Sequence, residues 1–408
     1  MKWSAFLRRA EVIPPAAVFQ VSYANGLGII RDLARHDIPV VALDAAAGAI
    51  GLHSRHATGL VCPDPRVDEE GFIAYLEQLG PRLPRRAVVF PTHDEYIWPL
   101  SRHAERLSPW FIVPFSGWET MRRLHDKREQ IEAAWRCGVD TPRTAFIDSP
   151  ADVDRAGREV PYPALLKPVD SLAFKRRFGK PVVDISDPGH LARVYPQVDD
   201  VGTLMLQERV PGNDDELYTV GSYVDAGSRP LAVFTGHKLR QYPRGAGSCC
   251  LGVSKWDTHL ADAGLRLLRE LGYHGVTQVE FKRDARDGKY RLMEVNARHW
   301  MWHSLAAACG VNLSLAAYRD ALGRPFLAPR QVDDVRWVVL NKDLPLALRE
   351  VVKRERDPIA LLRSYRGVRR DGVHSLTDPV PGLIDGSRVA RRAFERVVLR
   401  RPSARADI

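Results

Sequence analysis

Two carboxylates and one amide, those of Glu280, Glu294 and Asn296, are spaced as ligands for a divalent metal ion. Glu294 and Asn296 lie two residues apart in a β-rich run, so they share one face of a predicted strand. A turn at Asp287-Gly288 would fold the run into a hairpin and place Glu280 across from Glu294. Opposed carboxylates destabilise paired strands unless a cation lies between them, and such oxygen ligands suit Mg²⁺. The hairpin therefore predicts a Mg²⁺ site, with a solvated hairpin of ordinary surface acids as the alternative.

Several cationic residues are placed where they could bind a phosphate group. Lys167 ends the apolar run 164–166 and is followed by Pro168, so its ammonium group must find an anion or bear the cost of desolvation. A phosphate suits such a point charge. The segment 237–248 contains four cationic side chains, its histidine included, between two predicted strands. We interpret it as an anion-binding loop for a γ-phosphate and a carboxylate substrate, with a solvated turn as the alternative.

The segment 294–298, together with Glu280, resembles the metal-binding end of the ATP-grasp superfamily. In that family a Glu or Asp, a second Glu and an Asn two residues later hold Mg²⁺ on ATP, and an Arg follows. The resemblance has matched motifs over about residues 120–325 and extends to about 14–115 by architecture only. It implies an α/β chain, with α+β character in the nucleotide-binding part. A Rossmann-like N-terminal domain would precede a two-subdomain ATP-grasp fold.

The resemblance also implies which side chains touch each part of the substrates. The loop 174–180 stands where the family has a glycine-rich lid, but it has a single glycine, so cations would replace backbone contacts to phosphate. The implied residues are Lys127, Lys167 and Lys180 for the phosphates; Gln207, Glu208 and the backbone near Val210 for adenine; Glu216 for ribose, with Asp214 or Asp215 as alternatives; Glu280, Glu294 and Asn296 for the metal; and Arg298 with Lys238 or Arg240 for charge on the transferring phosphoryl group.

We expect three regions along the chain. Residues 1–115 would form the Rossmann-like domain. Residues 116–328 would form the ATP-grasp domain, with a nucleotide-binding subdomain at about 142–212 and a metal and substrate subdomain at about 213–328. Residues 329–408 would be a basic C-terminal extension of mixed strand and helix. Because this extension lacks interleaved aromatics and nucleic-acid motifs, a solvated helical face is favoured over nucleic-acid binding.

Length and composition limit the classes of protein to which the chain can belong. With 408 residues, 45% of them hydrophobic, and a net charge of +10, the chain is long enough for two or three domains. No apolar run approaches the roughly 18 residues of a membrane-spanning helix, and the N-terminal apolar stretch is too short for a signal peptide. We therefore expect a soluble cytoplasmic protein. Five cysteines without metal-ligand spacing are expected to be reduced structural thiols.

An N-terminal βαβ pattern leaves a second interpretation open. The segment 22–28 contains a Gly-x-Gly turn before a predicted helix, and Asp44 ends the next strand. Such a turn and acid can hold the pyrophosphate and ribose of a dinucleotide, but Arg31 occupies the third glycine position. The resemblance favours a domain that binds no dinucleotide. Two polar clusters after strands are expected either to line the substrate crevice or to be helix caps and surface polar groups: 54–56 and 92–95.

The chemistry that the resemblance implies is ATP-dependent ligation. The γ-phosphoryl group of ATP would pass to a carboxylate, and an amine would attack the resulting acylphosphate, with release of ADP and phosphate. The implied cofactors are ATP and Mg²⁺, with Mn²⁺ as a substitute, and the partners are small-molecule carboxylate and amine substrates; a homodimer is compatible with the sequence. The rival classes are an NAD(P)-dependent oxidoreductase using the βαβ unit and a non-catalytic nucleotide- or nucleic-acid-binding protein.

Overall fold

A computed structural model describes residues 3–169, 182–245 and 247–398 of the chain. Its first part contains five parallel strands, β1 (Ala16–Phe19), β2 (Val40–Asp44), β3 (Ala57–Val61), β4 (Ala87–Pro91) and β5 (Phe111–Ile112). The helices around them are α1 (Trp3–Val12), α2 (Ala24–Ala34), α3 (Glu69–Leu79), α4 (Asp94–Arg102) and α5 (Ala104–Leu107). The sheet order is β3-β2-β1-β4-β5. Strands β1, β2 and β4 are buried at every position, which explains their continuous apolar sequences.

The predicted Gly-x-Gly turn is wrong, because both glycines lie inside α2. A Cβ atom on Gly26 would come within 2.7 Å of the Cα of Val21, and one on Gly28 within 2.9 Å of the Nε2 of His303. The glycines therefore allow α2 to pack closely on its neighbours. Asp44 is buried, and its carboxylate accepts hydrogen bonds from protein donors. The dinucleotide interpretation is accordingly not favoured.

Two helices, α6 (Trp118–His125) and α7 (Lys127–Arg136), lead to a four-stranded sheet. Its strands are β6 (Thr144–Ile147), β7 (Ala164–Pro168), β8 (Val183–Ile185) and β9 (Leu204–Glu208), in the order β6-β9-β7-β8 with antiparallel pairing. Helices α8 (Val153–Glu159) and α9 (Pro188–Val194) share a core with this sheet. The loop 174–180, with its predicted phosphate contact Lys180, lies outside the described residues.

The third sheet has seven strands and contains the predicted hairpin. Its strands are β10 (Leu217–Val224), β11 (Pro230–Tyr242), β12 (Ser248–Ser254), β13 (Gly275–Arg283), β14 (Tyr290–Asn296), β15 (Arg336–Val338) and β16 (Val368–Asp371), in the order β14-β13-β10-β11-β12-β15-β16. Helices α10 (Thr258–Glu270), α11 (Ser304–Ala308) and α12 (Leu313–Ala321) accompany it. The hairpin prediction is confirmed, because β13 pairs antiparallel with β14 and Glu280 is the register partner of Glu294.

The C-terminal segment extends the third sheet and also reaches the first. Besides β15 and β16 it forms the helices α13 (Leu340–Val352), α14 (Pro358–Ser364) and α15 (Pro379–Val398). The carboxylate of Asp378 accepts hydrogen bonds from the Nε of Arg31 at 3.0 Å and from the Oγ of Ser54 at 2.8 Å. The polar cluster 54–56 therefore contacts the C-terminal segment, which favours the alternative of structural polar groups over a wall of the substrate crevice.

Strand β11 differs from the loop predicted at 237–248, because it continues to Tyr242. In its pairing with β12, Leu239 is an extra residue and forms a β-bulge. Regular alternation would place Lys238 and Arg240 on the same face of the strand. The bulge instead directs Lys238 into a cavity between the sheets and turns Arg240 toward the C-terminal segment.

The cysteines are structural. All five are unpaired, in agreement with the expected reduced thiols, and burial raises the pKa of the Cys62 thiol to about 12. In the described part of the chain, no helix combines the length and the apolar character needed to cross a membrane.

Candidate functional site

A cavity of about 640 Å³ lies between the four-stranded and the seven-stranded sheets. Side chains from both sheets line it, together with Asn25 and His93 from the first part of the chain. The fold thus gathers residues that are far apart in sequence around one space. Eight of the predicted site residues line this cavity: Lys167, Glu208, Val210, Lys238, Glu280, Glu294, Asn296 and Arg298.

The predicted metal ligands adjoin one another on the hairpin. The carboxylate of Glu280 lies 2.6 Å from the Nζ of Lys238, and that of Glu294 accepts a hydrogen bond from the Nδ2 of Asn296 at 2.8 Å. The Oδ1 of Asn296 accepts one from Arg298 at 3.1 Å. Burial raises the pKa of Glu280, and the ammonium group of Lys238 opposes that shift. Cations and an amide N–H therefore hold the three side chains in place.

This set of oxygens fits a Mg²⁺ ion that is bound together with a nucleotide. Carboxylate and amide oxygens are the ligands that Mg²⁺ prefers, and the ion commonly combines one or two carboxylates with substrate phosphates. Across residues 3–169, 182–245 and 247–398, no group of three His, Cys, Asp or Glu side chains could hold a metal by itself. Glu280, Glu294 and Asn296 would therefore hold the ion only with the help of phosphate oxygens.

Gln278 is a cavity residue that the sequence analysis missed. It is buried, lines the cavity and is the register partner of Asn296 in the hairpin. Its Nε2 donates to the hydroxyl of Thr219 at 3.0 Å, and its Oε1 accepts from Asn296 at 3.4 Å. The sequence does carry a signal for it, because Gln278 precedes Glu280 by two residues and so shares its strand face.

Lys167 enters the cavity from β7, and its Nζ donates to the Oε1 of Gln207 at 2.9 Å. Desolvation, together with the nearby charge of Lys127, lowers the pKa of Lys167 to about 8. Gln207 itself is buried, and its amide group also donates to Thr144 at 2.9 Å. Its side chain is not among those that line the cavity, so the predicted contact with adenine is corrected to a role in holding Lys167.

Lys127 starts α7 directly after Asp126, whose side chain caps the helix. It lines a smaller cavity of about 150 Å³ that also touches Glu294 and Asn296. The two cavities therefore meet at the hairpin. Because the charge of Lys127 also lowers the pKa of Lys167, these two predicted phosphate contacts lie in the same region of the molecule.

The segment predicted to contact adenine follows β9. Glu208 is buried, and its carboxylate accepts hydrogen bonds from the backbone of Arg143 at 3.1 Å and from Arg286 at 3.3 Å. The carbonyl of Val210 accepts one from the Nζ of Lys282 at 2.9 Å. Glu208 and Val210 both line the cavity, so the structure leaves their predicted contacts open to test.

Glu216 is not among the residues that line the cavity. Its carboxylate pairs with Arg283 through hydrogen bonds of 2.7 and 3.0 Å, and this pairing lowers the pKa of Glu216. Asp214, one of the alternatives, does line the cavity, and it accepts hydrogen bonds from Gln241 at 2.9 Å and from the backbone of Gly245 at 3.1 Å. The ribose prediction therefore moves from Glu216 to Asp214.

Arg298 is fixed by the first part of the chain. Its Nε donates to Asp94 at 3.0 Å, which brings the polar cluster 92–95 to the site. Burial and the charge of Arg298 lower the pKa of His93 to about 4, so its imidazole is neutral at pH 7. The result is one oriented guanidinium beside a neutral ring, a suitable environment for an anionic group.

Arg240, predicted to be catalytic, is not among the residues that line the cavity. Its guanidinium donates to both oxygens of Asp343 at 2.8 and 2.6 Å, and neither side chain is more than 4% exposed. The hydroxyl of Tyr365 donates to the same carboxylate at 2.5 Å. The prediction for Arg240 is therefore corrected to a structural role, in which the ion pair joins β11 to α13.

An irregular segment follows Arg298, and helix α11 begins at Ser304. Trp300 and Trp302, in the irregular segment before it, are buried and line the cavity. A Cβ atom on Gly221 would come within 2.0 Å of the ring of Trp300, so the absence of a side chain there makes room for the indole. The two indoles are core residues that also form part of the cavity wall.

Comparisons with known proteins agree with this architecture. Residues 248–328 match the family model of the carbamoyl-phosphate synthase L chain, ATP binding domain. The chain is 24% identical over 269 residues to D-aspartate ligase of Enterococcus faecium (strain Aus0004), a match that covers 62% of this chain and 64% of that protein. The match thus spans slightly less than two thirds of that relative.

Two solved structures share the fold over most of the chain. The biotin carboxylase–β,γ-ATP complex from Campylobacter jejuni superposes with a TM-score of 0.61 and 16% identity, covering 77% of this chain and 72% of that one. The L-amino acid ligase from Bacillus licheniformis superposes with a TM-score of 0.58 and 16% identity, covering 77% and 75%. The fold, the hairpin and these matches agree with the resemblance of the sequence to the ATP-grasp superfamily.

Proposed function

We propose that this chain is an ATP-dependent carboxylate–amine ligase that forms an amide through an acylphosphate and releases ADP and phosphate. The observation that carries the proposal is the convergence of Glu280, Glu294 and Asn296 with Lys167 around one cavity. The similarity to proteins named D-aspartate ligase and L-amino acid ligase supports an amino acid as one of the two substrates.

Different residues of the cavity would contribute to different parts of phosphoryl transfer. Mg²⁺ bound with ATP would supply Lewis-acid neutralisation of the triphosphate, and Mn²⁺ is proposed as a substitute because it also takes oxygen ligands. Glu280, Glu294 and Asn296 would hold the ion. The ammonium group of Lys167 would fix phosphate oxygens, which reduces the freedom of the triphosphate.

Arg298 and Lys238 would act on the substrate side of the cavity. Arg298 is oriented by Asp94 and would hold the carboxylate substrate while charge develops on the transferring group. The Nζ of Lys238 lies 2.6 Å from the carboxylate of Glu280, and its positive charge faces the same cavity. A side-chain nucleophile is not required, because the substrate carboxylate attacks the phosphoryl group and the amine attacks the acylphosphate.

An isotope-transfer experiment tests the reaction class. With a carboxylate substrate labelled with ¹⁸O, we expect one labelled oxygen in the released phosphate, because the carboxylate oxygen that attacks the phosphoryl group leaves with it. The nucleotide product should be ADP. Detection of AMP, or of unlabelled phosphate during amide formation, would contradict an acylphosphate intermediate. A screen of amino acids as carboxylate or amine partners, scored by phosphate release, identifies the substrates for this test.

ATP binding should depend on the protonation of Lys167. Because the pKa of this lysine is about 8, its charged form is lost as the pH rises through that value, and ATP affinity should fall about tenfold between pH 7 and pH 9. Lys167→Met should weaken ATP binding by roughly 10- to 100-fold at pH 7, the value of one or two charge-assisted hydrogen bonds, and should abolish this pH dependence. Isothermal titration measures both effects.

The thermal stability of the ligand-free protein separates a binding lysine from a structural one. The ammonium group of Lys167 is desolvated, and among the described residues it donates to the neutral amide of Gln207, so its replacement should leave the melting temperature nearly unchanged. A large loss of stability with normal ATP affinity would show that Lys167 supports the fold instead.

A further inference from the structure

The helices α13 and α14 expose a group of large aliphatic side chains. Leu344, Leu348 and Val352 are spaced four residues apart on α13 and are 36%, 49% and 82% exposed. On α14, which packs against α13, Ile359 and Leu362 are 57% and 73% exposed. We call these five residues the C-terminal apolar face. Residues at intervals of three and four lie on one side of a helix, so each helix presents its share as a stripe.

Burial of this face is not needed for the fold. Helix α13 already turns Asp343, Ala347 and Glu350 inward, and these residues are buried. They follow the same periodicity along a different side of the helix, about 100° away from the exposed leucines. The fold therefore uses one side of α13, and no described residue covers the aliphatic stripe on the other.

Exposed large aliphatic and aromatic residues are concentrated in this region. Within the described part of the chain, ten of the eighteen such residues follow position 339. Scattered single examples are normal on protein surfaces, whereas a concentration of them marks a contact surface. This concentration of exposed apolar side chains indicates that the C-terminal region contacts a partner.

The charges around this face identify the kind of partner. Exposed cations are interspersed with the aliphatic residues on the same two helices and just after them, whereas exposed acids in this stretch are fewer: the cations are Arg349, Lys353, Arg354, Arg363 and Arg366, and the acids are Glu355 and Asp357. A second copy of the same face would bring these cations together, which like-charge repulsion disfavours. A partner with an anionic surface and an apolar interior would complement both the cations and the aliphatic side chains of this face.

We propose that the C-terminal apolar face binds the surface of an anionic lipid bilayer. The aliphatic side chains would enter the boundary between headgroups and acyl chains, and the neighbouring arginine and lysine residues would pair with anionic headgroups. Binding of this kind is peripheral, and it holds α13 and α14 in the plane of the interface. It would place the ligase cavity beside a membrane, and it does not depend on which reaction the cavity performs.

Vesicle co-sedimentation with the full chain tests the proposal. The wild-type protein should bind vesicles of equal parts phosphatidylcholine and phosphatidylglycerol, and should not bind pure phosphatidylcholine. Leu348→Gln/Val352→Gln should lower the partition coefficient at least roughly tenfold, because two aliphatic anchors are lost. Arg349→Gln/Arg354→Gln should lower it by a similar factor, since each basic residue near a charged surface contributes about a factor of five.

Matched variants control for general surface effects. Val12 and Val67 are 73% and 86% exposed in another part of the chain, so Val12→Gln/Val67→Gln should bind vesicles as the wild type does. Absence of binding to anionic vesicles, or equal binding by Leu348→Gln/Val352→Gln and the wild type, would overturn the proposal. So would a dimer in sedimentation velocity that the same pair of substitutions dissociates, because a second copy would then cover the face. The assay contains no ATP, and its outcome is separate from that of the ligase tests.

Discussion

Replacement of Glu294 by glutamine is expected to reduce ATP-dependent turnover by about 100- to 1,000-fold, the range typical for loss of one preorganised group that stabilises charge in the transition state. The substitution keeps the size of the side chain and removes one of the two carboxylates opposed on the hairpin. With less negative charge, the site should require a higher Mg²⁺ concentration for half-maximal rate. Phosphate release measured over a Mg²⁺ titration reports both effects.

The control for this experiment lies nearby in the structure. Glu216→Gln removes a carboxylate that pairs with Arg283 outside the cavity, so its turnover should stay close to that of the wild type. The melting temperature of Glu294→Gln should also be near the wild-type value, because the opposed carboxylates do not stabilise the metal-free hairpin. Retained activity with an unchanged Mg²⁺ requirement would remove Glu294 from the metal site.

Asp343→Ala is expected to cost about 3–5 kcal/mol of stability, the usual effect of leaving one partner of a buried ion pair without the other. Arg240 is the partner, and both side chains are almost fully buried between β11 and α13. The alanine also removes the acceptor for Tyr365. Denaturant unfolding and the melting temperature measure the loss, with the loss of the tyrosine acceptor included in it.

Two companion variants separate charge from packing. Tyr365→Phe deletes one hydrogen bond to Asp343 and should cost only about 1 kcal/mol. Arg240→Met/Asp343→Leu replaces the whole pair with aliphatic side chains of similar volume and should recover most of the stability. If this double variant is folded, its turnover should remain near that of the wild type. A collapse of turnover in a stable double variant would restore Arg240 to the catalytic residues.

Local sequence patterns were sufficient for the parts of the site that depend on one strand or one turn. The spacing of Glu294 and Asn296 determines their common face, and the turn at Asp287-Gly288 brings Glu280 onto the paired strand. A register shift between Glu280 and Phe281, which the sequence did not reveal, then places Glu280 opposite Glu294. The ATP-grasp recognition follows from the same segment. The domain boundaries at about residues 115 and 328 stay predictions, because β15 and β16 of the C-terminal segment continue the sheet that carries the hairpin.

Three residues were misplaced because their environment is set by contacts distant in sequence. Arg240 was assigned to the cavity as part of the anion-binding loop predicted at 237–248, but this segment continues as β11 and Arg240 pairs with Asp343 of the C-terminal segment. Glu216 was assigned to ribose because it lies just before a strand, but its carboxylate pairs with Arg283 instead. Gln207 was assigned to adenine, but its side-chain oxygen accepts a hydrogen bond from Lys167.

The sequence by itself determined the hairpin that carries the predicted metal ligands, the α/β class of the fold and the lysine that enters from β7, because each depends on a short periodic pattern. Only the tertiary structure decided that Asp94 of the first part orients Arg298, that Gln278 joins the hairpin face and that Arg240 serves the C-terminal segment. The physical reason is that a buried charge or amide takes the partner that packing brings to it. That partner is chosen by the arrangement of sheets, which a local pattern does not encode.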